Sequence, residues 1–168
     1  LKKIVYNKYL GEFVLKLVLK VHTKAYNISG GLSSYLNNGI HPKHKIMRYK
    51  EWFLDNINRK DVVLDVGSNT GMMAELISYK VSYVYGIEID CNLVKAAINK
   101  RPNSKTKFIC ADATSYDDSK CRKIDCVILS NVLEHIEHRV LFLKKLSTQI
   151  KWNGSKIFLI RVPMIDRE

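Results

Sequence analysis

The residues able to do chemistry in this chain gather at the ends of short apolar runs. The first run, Val62-Val-Leu-Asp-Val-Gly-Ser-Asn-Thr-Gly71, carries an acid, Asp65, and then brackets a turn between Gly67 and Gly71 before the helical segment Met72 to Ser78. Glycines there remove side chains where a backbone must approach a ligand, and the N–H groups that open the helix suit a carboxylate or phosphate. Asp65 can be aimed at a cationic or hydroxylated part of the same ligand. The second run, Val84-Tyr-Gly-Ile-Glu-Ile-Asp90, sets Glu88 23 residues after Asp65, where a carboxylate can accept from both hydroxyls of a sugar. Its neighbour Asp90 reads as the N-cap of a helix through Leu93, Ala96 and Ala97. The third, Phe108-Ile-Cys-Ala-Asp-Ala113, ends in Asp112. One acid after one run says little; three acids after three successive runs describe a lined crevice. The fourth, Asp125-Cys-Val-Ile-Leu-Ser-Asn-Val-Leu-Glu-His-Ile-Glu-His138, offers His135, an imidazole that titrates near neutral pH and can take a proton from a hydroxyl.

The elements that must position these groups follow from hydropathy. Apolar runs at Val62 to Val66, Val81 to Ile87, Lys107 to Cys110, Cys126 to Ser130 and Lys156 to Ile160 alternate with helix-length segments. That grammar predicts a parallel sheet covered on both faces. Upstream, Val5, Tyr9, Phe13, Leu17 and Val21 fall four apart among lysines 8, 16, 20 and 24, so Lys2 to about Lys24 reads as a basic amphipathic helix. Packing on its own domain is the expected use, with a membrane or partner surface as the alternative. Asn27 to Pro42, with Ser29-Gly30-Gly31 and Asn37-Asn38-Gly39, reads as a loop. Helical spacing resumes over Lys45 to Ile57. The expected organisation is an N-terminal helix and loop over 1–44 and a ligand-binding domain over 45–168.

With its motifs in this order, the segment from about residue 45 to 163 resembles the class I S-adenosylmethionine-dependent methyltransferases, of the type that carries Leu-Glu-His after the fourth strand. VVLDVGSNTG is similar to their first motif, with Asn69 where the middle glycine usually stands; Asn tolerates the left-handed backbone such a turn needs. A dinucleotide-type G-x-G-x-x-G is absent. The resemblance implies a Rossmann-like, doubly wound three-layer α/β sandwich with a mainly parallel sheet, lacking the last two strands of the family. A fifth strand at an edge would then need covering by the N-terminal helix or another subunit. The resemblance also implies S-adenosylmethionine as cofactor, held by Asp65, Gly67, Ser68, Asn69, Gly71, Glu88, Ile89, Asp112, Ala113, Ser130 and Asn131. In it Asp112 meets the adenine amine, and Lys45, Arg48 and Tyr49 are candidates to close over the carboxylate, a solvated basic face being the plainer account. His135 is the candidate catalytic base, although transfer from a sulfonium asks mainly for in-line placement, and Glu134 and His135 serve equally to orient the methionine end. Glu134, His135 and His138, with His41 and His44, have ligand-like chemistry, but Asn131 stands where related RNA-end methyltransferases place a glutamate. No metal is expected.

Charge and cysteines bound the partners. Residues 1–60 hold 12 Lys and Arg against 3 Asp and Glu, so +9 of the net +12 lies in that third. Such a field draws nucleic acid, anionic surfaces or phosphorylated molecules alike. Cysteines 91, 110, 121 and 126 form no C-x-x-C, and Cys110 and Cys126 lie in apolar runs, so four reduced core thiols and a cytoplasmic location are expected. No run reaches the ~20 apolar residues of a membrane span. The chain opens on Leu1 rather than Met, and whether it is a fragment of a longer protein stays open. The function expected is methyl transfer to a small-molecule acceptor, at oxygen. RNA methylation through the basic N-terminal third and a non-catalytic cofactor-binding or assembly module stay open as alternatives, and a homo-oligomer stays open among the partners.

Overall fold

All five residues of Val62–Val66 are buried, as expected of a strand covered on both sides, and this segment is the centre of the sheet. The computed structural model describes residues 8–39, 47–100, 102–115 and 121–163. In chain order its elements are α1 (Lys8–Leu36), α2 (Tyr49–Asp55), β1 (Val62–Val66), α3 (Met72–Ser78), β2 (Tyr83–Glu88), α4 (Cys91–Lys100), β3 (Thr106–Cys110), β4 (Ile124–Ser130), a 3₁₀ turn (Leu133–His135), α5 (Arg139–Gln149) and β5 (Trp152–Arg161). The strands lie in the order β3-β2-β1-β4-β5, and every neighbouring pair is parallel. The chain therefore builds outward from β1 through β2 to β3 and returns to the other side of β1 for β4. That reversal opens a crevice at the C-terminal ends of β1 and β4, where ligands bind in open α/β sheets.

The period of two in the strands divides the core into two layers. On one face Leu64, Val66, Tyr85, Ile87 and Leu129 cluster with Phe142, Leu146 and Ile150 from α5 and its end. The alternate residues Val63, Val84 and Ile128 are buried on the other face, where α3 and α4 pack against β2 and β3 and bury Ala74, Ile77 and Ala97. Each such aliphatic side chain contributes about 1.5–3 kcal/mol by leaving water. The result is the expected three-layer Rossmann-like α/β sandwich.

Three local expectations are corrected. The helix α1 does not stop at Lys24 but continues through Ser29-Gly30-Gly31 to Leu36. Each glycine costs a helix about 1 kcal/mol, but Ile28 and Leu32 keep the apolar spacing. Ser29 and Asn37 also return side-chain hydrogen bonds to the carbonyls of Tyr26 (2.9 Å) and Ser33 (2.8 Å). The turn begins only at Asn37, and Gly39 takes φ +83°. Residues 2–7 of the expected helix and Pro42 of the expected loop lie outside the described residues. The strand β5 starts at Trp152 rather than Lys156, because Trp152 donates to the Ser147 carbonyl at 2.9 Å and Asn153 to the Asp125 carboxylate at 2.8 Å. Asp125 also accepts from the Val62 N–H at 2.8 Å, tying the starts of β1 and β5 to β4.

The third correction concerns sulfur. Cys91 and Cys110, expected as reduced thiols, are joined in a disulfide with Cα atoms 5.1 Å apart. Both are exposed rather than buried. Glu88 and Cys110 are register partners, so α4, opening three residues past Glu88, starts over the end of β3. Cys126 fits the expectation: it is buried, and burial, reinforced by the Asp61 and Asp125 carboxylates, pushes its thiol up to about 12.

The chain divides after Tyr49 into two units. The first is chiefly α1, none of whose residues is buried; the second carries the sheet. No helix of the described residues is long and apolar enough to cross a membrane.

Candidate active site

The turn after β1 is built by backbone conformations that few residues adopt. Gly67, Asn69 and Gly71 take φ of +71°, +49° and +77°, so Asn69 occupies the left-handed region in the place of a glycine. The N–H groups of Gly67 and Ser68 both donate to the Ile87 carbonyl, at 2.8 and 2.9 Å, which folds the turn against the end of β2. A Cβ on Gly67 would come within 2.6 Å of Val132 Cγ2, so the turn also abuts the loop after β4.

Glu88, 9% exposed, is the keystone of this corner. Its Oε2 accepts from the Asn69 N–H at 2.9 Å and its Oε1 from the Asp90 N–H at 3.1 Å. Each oxygen retains lone-pair capacity toward the cleft. Asp112 accepts from both the N–H and the hydroxyl of Thr114, each at 2.8 Å, and these bonds hold its carboxyl below the ordinary value. Asp65 is different. Buried beneath the turn, it has a carboxyl pushed up to about 7, chiefly by burial and next by the nearby Glu88, against a lowering hydrogen bond from the Ala74 backbone. Its Oδ2 and the Ser68 hydroxyl are buried without a hydrogen-bond partner in the structure.

A cleft of about 380 Å³ opens over the ends of β1, β2 and β4. Of the residues expected at the site, Gly67, Asn69, Glu88, Ile89, Asp112, Ala113, Asn131 and His135 line it. Asp65, Ser68, Gly71 and Ser130 do not reach its wall; Asp65 and Ser68 lie buried behind it, and Ser130 accepts from Arg161 Nη1 at 3.3 Å. Asn131 turns the chain out of β4 at φ +58°, with its N–H on the Arg161 carbonyl at 2.9 Å. The 3₁₀ turn then presents exposed His135 while Leu133 anchors it in the core. A second cavity of about 360 Å³ adjoins the first, and Thr114, His135 and Ile136 line both.

Sequence reading missed Thr114, Val132 and Ile136 as wall residues, and it missed Gly86. A Cβ on Gly86 would meet the Phe108 ring at 2.7 Å and Ser68 Oγ at 2.9 Å; one on Gly71 would meet the same ring at 2.5 Å. Phe108 thus fills the space that two glycines leave. Among the described residues no three of His, Cys, Asp and Glu sit together as a metal-holding group. His41, His44 and Lys45 lie outside the described residues.

A parallel sheet of this order, with its cleft at the reversal and a carboxylate closing β2, defines a class I methyltransferase-type fold. A family model described as "Methyltransferase domain" matches residues 64–158, more than half of the chain, and the chain belongs to that family. It is 29% identical over 105 residues to N-methyltransferase 4 of Papaver somniferum, which covers 60% of this chain and 30% of that protein. Among solved structures, the YcgJ protein of Bacillus subtilis superposes with a TM-score of 0.56 at 18% identity, covering 68% of this chain and 50% of that one. A SAM-dependent methyltransferase from Thiobacillus denitrificans in complex with S-adenosyl-L-homocysteine gives a TM-score of 0.55 at 19% identity, covering 70% and 47%. The chain thus spans less than a third of the plant relative and about half of these two structures.

Proposed function

We propose that this chain binds S-adenosylmethionine in the 380 Å³ cleft and supports methyl transfer to a small-molecule acceptor, at oxygen. The observation that carries the reading is the shared wall: a molecule lodged in the second cavity faces the first across Thr114, His135 and Ile136. The residues present fit the cofactor. It is a net cation, and the cleft wall offers it two carboxylates, Glu88 and Asp112, with a third acid, Asp65, buried behind the turn and holding an oxygen that has no protein partner. Glu88 takes the ribose hydroxyls with the lone pairs left by the Asn69 and Asp90 N–H groups. Asp112 and Ala113 flank the adenine, and Asp65 backs the turn from beneath. When bound, the cofactor supplies an electrophilic methyl group on sulfur. His135 holds the proton that a hydroxyl acceptor gives up, and the apolar walls Ile136 and Val132 keep water from competing.

Nitrogen is the second reading, favoured by the name of the plant relative. A neutral amine attacks without first losing a proton, so the two readings separate on His135.

Calorimetric titration of the full chain with S-adenosylmethionine and S-adenosylhomocysteine, with NAD as control, tests the binding half. Micromolar affinity for both sulfur ligands and none for NAD is expected, and Glu88→Ala weakens both by about 1.5–3 kcal/mol, the worth of hydrogen bonds to a charged group. No binding by the folded chain overturns the proposal. Once acceptors are in hand, His135→Ala should slow a hydroxyl acceptor about 100-fold or more and leave an amine little changed. Equal rates on the hydroxyl acceptor would exclude His135 as base, and binding without turnover on any acceptor would favour an assembly module.

A further inference from the structure

The helix α1 carries an apolar stripe and buries none of its residues, while Phe13, Leu15 and Leu19 are exposed apolar residues off that stripe. Its 29 residues span about 43 Å at 1.5 Å per residue. Leu10, Val14, Leu17, Val21, Ile28 and Leu32 recur at intervals of three, four and seven and form one apolar stripe, and all are exposed, Val21 at 62%. Lys16, Lys20 and Lys24, four apart, form a ridge along one border of that stripe. With Lys8 the helix holds four lysines against one acid, Glu12.

Those features argue against two ways of covering the stripe. The helix is not apolar enough to cross a bilayer. Pairing with a second copy would set another lysine-rich helix beside the first with one further glutamate to offset it. An anionic bilayer surface answers both halves of the pattern, since its acyl boundary receives the apolar stripe and its headgroups neutralise the lysine ridge. We propose that α1 is an interfacial membrane helix, lying in the plane of an anionic lipid surface with Leu10, Val14, Leu17, Val21, Ile28 and Leu32 turned into it. This inference is independent of the methyl-transfer reading.

The test is co-sedimentation of the full chain with vesicles of phosphatidylcholine alone and of phosphatidylcholine with one quarter phosphatidylglycerol. Binding to the anionic vesicles that weakens as salt is raised from 50 to 500 mM is expected, with little binding to the neutral ones. Each lysine near such a surface adds about fivefold in affinity. The triple variant Lys16→Gln, Lys20→Gln, Lys24→Gln should therefore lose about 100-fold, and Leu17→Glu with Val21→Glu should abolish sedimentation. These positions are exposed, so the sheet domain stays folded, and unchanged S-adenosylhomocysteine titration or far-UV spectra verify it. Failure to bind anionic vesicles overturns the proposal, as does full binding by the Leu17→Glu, Val21→Glu variant. A vesicle-free dimer that the same variant dissolves overturns it in favour of a second copy.

Discussion

At the scale of single residues, Asp65 sets a pH signature. Its carboxyl is ordinary when the chain is unfolded, near 3.8, and is pushed up to about 7 in the folded state. The folded protein then holds this proton more tightly than the unfolded one. Its contribution to stability is full below pH 4, declines as pH rises through 7, and is flat above that. Asp65→Asn removes the decline. Urea unfolding at pH 5 and pH 8 should show the variant gaining on the wild type by on the order of 2–4 kcal/mol at the higher pH, at about 1.4 kcal/mol per pKa unit. A difference that does not change with pH would mean that Asp65 is already ionised in the folded state. The acids of the site were legible in the sequence because a strand end is where a parallel sheet exposes polar atoms, so Glu88 and Asp112 stood out by type and place. Asp65 and Ser68 were legible as part of the motif but not as buried groups, since their depth depends on how the turn folds back onto Ile87. Thr114, Val132 and Ile136 reach the wall through the packing of two loops, and no spacing announces that.

At the scale of elements, the ring of Phe108 in β3 couples β2 to the turn before α3. Gly86→Ala places a methyl group 2.7 Å from that ring, at a backbone angle any residue accepts, so its cost is contact alone. Overpacking of this kind costs about 1–3 kcal/mol. Phe108→Ala, which removes the ring atoms that either methyl group would meet, should recover most of it in a double-mutant cycle read by urea midpoints. Gly71→Ala meets the same ring at 2.5 Å but also sits at φ +77°. The shorter side chain should therefore recover less, leaving about 1–2 kcal/mol of left-handed strain. Equal rescue at both positions would rule out that division of causes. The strands were read well because burial on both faces makes each a near-continuous apolar run, whereas element ends were read poorly. Turn-forming residues signalled a loop at Ser29-Gly30-Gly31, yet helical spacing persisted beyond them and prevailed. The start of β5 depends on Asp125, a side-chain anchor from another strand.

At the scale of the whole molecule, the basic surplus falls on the first 60 residues, which composition reveals, and the candidate cofactor-binding motifs fall on the rest, which only motif order reveals. The disulfide leaves no such trace. Its cysteines stand 19 apart with no short motif between them, and only the parallel register of β2 with β3 brings α4's first residue to β3's last. Closing a loop of that length restricts the unfolded chain by about 3 kcal/mol. Adding dithiothreitol should lower the urea midpoint accordingly, and an unmoved midpoint would mean that the bond restrains little. The same bond changes what a protease can accomplish. Lys95, Lys100, Lys105 and Lys107 lie inside the loop that the two sulfurs close, so a single tryptic cut there nicks the backbone without releasing a fragment. On a gel the nicked chain runs as one band until reductant parts it in two.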